Sequence, residues 1–176
     1  MKKLIAMILI LMCLPAACAA NLPAAQGMEA PDFELKLISG ETFRLSDQRG
    51  KVVMINIWAT WCPPCVAEMP DIDRLAQDYA DDLVVIGVNC GEDEDTIREF
   101  VSENGYSYLF AADEDYTVSG LLYPTSAIPY TVIVDAQGIV VQTHRGGGEG
   151  MYEVFEGYVK QALRSAKSAN GVEILA

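Results

Sequence analysis

Lys51 to Cys65 reads KVVMINIWATWCPPC, and this stretch decides the fold. Its first nine residues, Lys51 to Ala59, form a nearly continuous apolar run of strand length. Such a run suits a strand buried on both faces, with parallel neighbours and helices covering them. Immediately after Cys65, residues Val66, Met69, Ile72, Leu75, Ala76 and Tyr79 recur at helical spacing, with Glu68, Asp71, Arg74 and Asp78 on the other side. A second apolar run, Leu83 to Cys90 (LVVIGVNC), follows. Strand, amphipathic helix and strand make a βαβ unit.

Outward from this unit, Phe33, Leu35 and Leu37 alternate with polar residues, Ser39-Gly40 supplies a turn, and Phe43 and Leu45 resume the alternation, which predicts an N-terminal β-hairpin. A second helix is expected from about Asp95 to Asn104, with Ile97, Phe100 and Val101 inward, acids at its positive end and Gly105 as its stop. A short apolar segment, Tyr108 to Ala112, precedes a stretch from Asp113 to Ile128 that shows no clear period. Tyr130 to Asp135 and Ile139 to Thr143 flank Ala136-Gln137-Gly138 as a hairpin, and Met151, Val154, Phe155, Tyr158, Val159, Ala162 and Leu163 form the stripe of a closing helix. The order predicts an α/β fold: a central mixed β-sheet with helices on both faces and a hairpin extension. Chemistry is expected at the C-terminal edge of the parallel strands.

The chain has 176 residues, 51% of them apolar, enough for one domain with a core. Twenty-five acids against twelve bases give a charge of −13, and no cluster of Lys and Arg exists that could bind nucleic acid. Met1-Lys2-Lys3, the apolar run Leu4 to Leu14 and the small residues Pro15 to Ala20 have the layout of a secretory signal peptide. The apolar run falls short of the ~20 residues that span a bilayer as a permanent helix. Two outcomes compete: ordinary cleavage at Ala17-Cys18-Ala19, or a lipoprotein signal in which Cys18 becomes the lipid-modified first residue. The favoured organisation is a signal peptide over 1–19, a linker over 20–30, a domain over 31–167 and a tail over 168–176. The protein is then extracytoplasmic, either lipid-anchored or soluble.

Cys62 and Cys65 are separated by two residues where a buried strand passes into a helix. The unpaired N–H groups and positive dipole of a helix start favour a thiolate at Cys62. Pro63 and Pro64 are tolerated there because early helical positions need no intrahelical donor. They also remove two N–H groups, leaving chiefly that of Cys65 to stabilise the Cys62 thiolate. A less stabilised thiolate makes a less oxidising disulfide, so Cys62 should titrate near the ~7 of a reductant rather than the ~3.5 of a strong oxidant. No cofactor beyond a Cys62–Cys65 redox disulfide is expected. A zinc site adding Cys90 and His144 matches no known ligand spacing.

Trp58-Ala59-Thr60-Trp61-Cys62-Pro63-Pro64-Cys65 resembles the active site of the thioredoxin superfamily, and specifically of the extracytoplasmic TlpA/ResA-like thiol–disulfide oxidoreductases. The likeness runs from about Ala30 to Lys167 and includes the Ala-Pro-Asp-Phe opening, Pro70, and Ile128-Pro129 before TVIVD. It implies a thioredoxin-like fold, Cys62 as attacking nucleophile, Cys65 as resolving cysteine, and Pro129 as a cis-proline facing the disulfide. Trp61, Pro63, Pro64, Ile128, Pro129 and Tyr130 would then form the substrate surface. Asn56 stands where thioredoxin has a buried Asp. Glu68 matches the acid of ResA-like proteins and is the candidate for proton transfer; its bland alternative is a surface helix acid. The family also implies protein disulfides as substrates, such as those of apocytochrome c or an extracellular methionine sulfoxide reductase, and a membrane electron donor of the CcdA/DsbD type. A monomer is expected.

The segment Val118 to Ile128 is longer than the usual approach to that proline and could form its own wall, with Tyr123 and Tyr130 facing substrate; Pro124-Thr125 is a rival cis-proline site. A peroxiredoxin-like peroxidase shares the opening motif, but neither Cys62 nor Cys65 follows its Pro-x-x-x-Thr-x-x pattern. A redox-inactive binding module would not need an intact CxxC. Cys90 reads as an inert buried thiol, His144 as solvated, Glu92 to Asp95 as a solvated helix start, and Gly146 to Gly148 as a turn near the active edge. If Cys18 carries the lipid, Cys18→Ser should move the protein from the membrane to the soluble fraction; wild type that is already soluble would contradict the anchor.

Overall fold

A computed structural model describes residues 23–169. The signal-peptide and Cys18 expectations, and most of the expected tail, lie outside the described residues. A five-stranded sheet of order β5-β4-β3-β6-β7 forms the centre. Strands β3 (Val52–Trp58), β4 (Leu83–Cys90) and β5 (Leu109–Asp113) are mutually parallel, whereas β6 (Tyr130–Val134) pairs antiparallel with both β3 and β7 (Val140–Arg145). The expected N-terminal hairpin is present as β1 (Glu34–Lys36) and β2 (Thr42–Arg44), a separate two-stranded sheet.

Every residue of β3 is buried, as its apolar run predicts, and the period of two divides it between two cores. Val52, Met54 and Trp58 face the layer built by α1 (Pro63–Asp78), α2 (Glu94–Asn104) and α3 (Tyr152–Ala169), where Met69, Ile72, Ile97, Phe155 and Val159 meet them. Val53, Ile55 and Ile57 face the other core, covered by the N-terminal segment with Phe33, Phe43 and Leu45 and by the turn holding Val118 and Leu122. The helical cover is therefore unequal. Three α-helices line one face, and a 3-10 turn (Leu45–Gln48) and one π-helical turn (Thr117–Leu122) join the hairpin on the other. Helix α3 extends to Ala169, past the domain end expected at 167.

Local chemistry explains the helix ends. Asp93 caps α2 by accepting the Thr96 N–H at 2.8 Å, and Gly105 closes it at φ 73°, a conformation that favours glycine. The stretch without sequence period is the π turn. Asp113, the last residue of β5, accepts the N–H groups of Val118 (3.0 Å) and Ser119 (2.7 Å), and Tyr123 N–H reaches back to Val118 O at 2.8 Å. A five-residue bond step fits neither the helical nor the strand template.

Tyr123 does not face substrate. Its ring is fully buried and edge-on to Phe33, and its hydroxyl donates to Pro31 O at 2.6 Å, tying the Ala-Pro-Asp-Phe opening to the π turn. Tyr123→Phe should lower the urea midpoint at unchanged slope, a loss of about 1–3 kcal/mol, because the Pro31 carbonyl is left without its partner; an unmoved midpoint would contradict this role.

Candidate functional site

β3 ends at Trp58, and the chain turns through Ala59, Thr60 and Trp61 onto the start of α1. Cys62 is the N-cap of α1 and Pro63 and Pro64 its first helical residues. Cys62 and Cys65 are joined in a disulfide with Cα atoms 5.3 Å apart. The Cys65 N–H donates to Cys62 Sγ at 3.3 Å, the one donor the two prolines leave. Both cysteines are nearly or fully buried, whereas Pro63 and Pro64 are exposed. Trp61 is 64% exposed beside them, and Trp58 is wholly enclosed against Phe100 and Phe110. The two tryptophans of one motif thus do different things.

Ile128–Pro129 is the cis peptide bond among the described residues, which excludes Pro124 as the cis site. Ile128 is half-buried and Pro129 buried. Tyr130 is 7% exposed; its side chain lies in the core with the Arg145 guanidinium over the ring at 5.8 Å, so the ring is not a contact surface. Trp61 and Ile128 line a groove of about 310 Å³ with Cys90, Tyr116, Gly120 and Ala127. Tyr116, like Trp61, is more than half exposed at this groove. The π turn supplies one wall of it, as the length of the Val118 to Ile128 segment suggested.

Glu68 is not a surface acid. It is fully enclosed one helical turn past Cys65, and Asn56 Nδ2 donates to its Oε1 at 2.8 Å and to Thr131 Oγ1 at 3.0 Å. Oε2 has no hydrogen-bond partner. Burial pushes the carboxyl up to about 8, and Asp71 adds to the rise; the Asn56 bond and the nearby Gly148 N–H oppose it more weakly. A carboxyl held near 8 is present in both its neutral and its ionised form in the range where thiols ionise.

Glu92 was expected as part of a solvated helix start, and it is instead a clamp. Its carboxylate accepts the Thr60 N–H at 2.7 Å, the Thr60 hydroxyl, and Asn89 Nδ2 at 2.7 Å. It thereby holds the loop that carries Cys62 onto the end of β4. The contact spans 32 residues, so no local pattern could have revealed it. The Gly146 to Gly148 turn is near the active edge and lies directly over Glu68. Cys90 is a free, half-buried thiol, raised by burial and by the Glu92 and Asp113 charges. His144 is not solvated: it lies half-buried, edge-on to Phe155, with Nδ1 3.1 Å from the Tyr158 hydroxyl. Cys90 on β4 and His144 on β7 are three strands apart, about 14 Å at ordinary spacing, so they cannot complete a zinc site with the CxxC pair.

Comparison with known proteins agrees with this geometry. The Redoxin family model matches residues 25–158. The thioredoxin-like protein YneN of Bacillus subtilis is 39% identical over 129 residues, covering 69% of this chain and 72% of that protein. The thiol-disulfide oxidoreductase ResA of Halalkalibacterium halodurans is 35% identical over 139 residues, 78% of each chain. The crystal structure of the pneumococcal exposed lipoprotein thioredoxin from Streptococcus pneumoniae superposes with a TM-score of 0.66 at 30% identity, covering 74% of this chain and 98% of that one. A thioredoxin-like sheet, a disulfide at the head of α1 and these likenesses lead to one conclusion: the chain belongs to the Redoxin family, as a thiol–disulfide oxidoreductase of the ResA type.

Proposed function

We propose that the protein works as an extracytoplasmic reductant of protein disulfides, with Cys62 as nucleophile, Cys65 as resolving thiol and Glu68 as proton holder. The observation that carries this reading is the sealed, proton-retaining carboxyl of Glu68 one turn past Cys65. In the dithiol form, the Cys62 thiolate attacks one sulfur of the target disulfide and expels the other as a thiolate, which takes up a proton. Cys65 then gives its proton to the ionised fraction of Glu68, and its thiolate attacks Cys62 Sγ, releasing the second target sulfur as a thiolate that takes that proton back from Glu68. The target gains two electrons and two protons, and the protein is left with its disulfide. A carboxyl at about 8 lies within about a unit of an ordinary thiol at ~8.5, so the proton can pass either way at small cost.

The groove beside Trp61 and Ile128 suits a polypeptide laid across the disulfide. Pro63, Pro64 and Pro129 would frame the approach to Cys62. Regeneration needs a dithiol donor, for which a membrane thiol transporter of the CcdA/DsbD type fits. Disulfides of apocytochrome c haem-attachment cysteines, or of an extracellular methionine sulfoxide reductase, are the proposed targets. The signal-like first residues support an extracytoplasmic location, and the lipoprotein named among the similar structures makes Cys18 a reasonable anchor point. Among the described residues no helix is long and apolar enough to cross a membrane.

Glu68→Gln should slow exchange with a protein disulfide about tenfold or more at neutral pH while the fold survives; wild-type rates across pH 5–9 would remove Glu68 from the mechanism. The same side chain sets a stability window. Its value in the folded protein lies above the 4.5 of an unperturbed Glu, so the native state retains a proton that the unfolded chain has lost between 4.5 and about 8. The stability gained by burying the neutral carboxyl is full below 4.5 and is lost as pH rises to about 8, by at most about 5 kcal/mol. Urea titrations of the oxidised protein should show this decline in wild type and its disappearance in Glu68→Gln; parallel curves would contradict the buried neutral carboxyl.

A further inference from the structure

Between β7 and α3 the chain crosses Glu68 as a strap fastened at both ends. The Gly146 N–H donates to Pro129 O at 2.9 Å, and the Met151 N–H donates to Asp71 Oδ2, on α1, at 2.7 Å. At its centre Gly147 lies against the carboxylate. A Cβ built there would overlap Glu68 Oε2 outright and stand 2.8 Å from Glu68 Cδ and 3.0 Å from Pro129 Cγ. The flanking Gly146 and Gly148 have φ of 86° and 152°. Neither contributes a side chain, so the strap lays bare backbone on the carboxylate.

We infer that Gly147 is a positioning residue for Glu68: its missing side chain lets the strap seal the carboxyl beneath the cis-proline and hold it against Asn56. This rests on the Glu68 reading above and adds the element that closes its pocket. An alanine at 147 leaves two ways out. Either the carboxyl moves and its 2.8 Å bond from Asn56 is lost, or the strap lifts and water enters. Both undo the burial that favours the neutral form. The other groups acting on this carboxyl are Asp71 on α1, Tyr108 ahead of β5 and the uncharged Asn56 of β3, which also bonds Thr131 on β6. Residues 146–148 carry no charged side chain and Glu149, the acid of the strap, is exposed, so the strap acts by exclusion and not by charge.

The test is a carbon-detected NMR titration of the Glu68 carboxyl in the oxidised protein, where no thiol titrates and no turnover occurs. Gly147→Ala should lower the midpoint from about 8 toward 4.5, by about one unit or more; a midpoint within about 0.3 unit of wild type in a folded variant would overturn the inference. A second measurement uses wild type alone and stands even if the variant does not fold. The Gly148 amide shift should follow the Glu68 midpoint and become flat in Glu68→Gln, and a flat wild-type profile between pH 6 and 10 would overturn the inference. In exchange assays, Gly147→Ala should leave the pH profile of Glu68→Gln where it already lies; a further displacement would mean that the strap acts through something else. A normal exchange rate in Glu68→Gln would instead remove the catalytic reading, while the titration would still report on the seal.

Discussion

A single hydrogen bond, from the Cys65 N–H to Cys62 Sγ at 3.3 Å, is the backbone contact on which the proposed thiol chemistry depends. A helix start ordinarily offers several free N–H groups to an anion. Here the first two helical positions are proline, so the thiolate that forms at the N-cap has one backbone donor and the helix dipole. The position of that sulfur depends in turn on β3 and β4. Trp58 pairs with Asn89 at the end of the two strands, and Asn89 steadies Glu92, which holds Thr60 two residues before Cys62. The reactive sulfur is thus placed by the sheet and tuned by its helix.

The second constraint is a carboxyl enclosed in the protein interior. An ionised Glu without a compensating charge is costly to bury, and the group responds by keeping its proton. Burial holds the neutral form to about 8, and Asn56, which supplies one bond to Oε1 and no charge, opposes it too weakly to reverse that. A cation in place of Asn56 would have held the carboxyl ionised and unfit to retain a proton near the thiol range. Burial is what makes Glu68 responsive at the pH where thiols ionise, and the uncharged Asn56 offsets it only in part.

Much of the fold was readable because the relevant signals are local. Continuous apolar runs marked β3 and β4, helical spacing marked α1, and Gly105 marked the end of α2. Cys62 and Cys65 were legible from their position at a helix start, whereas Glu68 stood out only through the family resemblance, since helical spacing grouped it with the solvent-facing Asp71, Arg74 and Asp78. What escaped the sequence depends on contacts between distant residues or on unusual backbone geometry. The π turn follows neither familiar period, Glu92 looks like any acid before a helix until Thr60 is beside it, and His144 gives no hint of Tyr158 and Phe155. Nothing near Tyr123 in the sequence marks it as a core residue, because its partner, Pro31, lies 92 residues away. The glycine triplet suggested a turn, but only the carboxylate under Gly147 explains the lack of a side chain there.

The most direct test of this account is the rate of alkylation of Cys62 in the reduced protein as a function of pH, read with Cys65 and Cys90 replaced by serine as well as in the native dithiol. One remaining backbone donor predicts a midpoint near the ~7 of a reducing thioredoxin. A midpoint below about 5 would place the protein among strong oxidants and contradict the proposal that the two prolines leave the thiolate weakly stabilised.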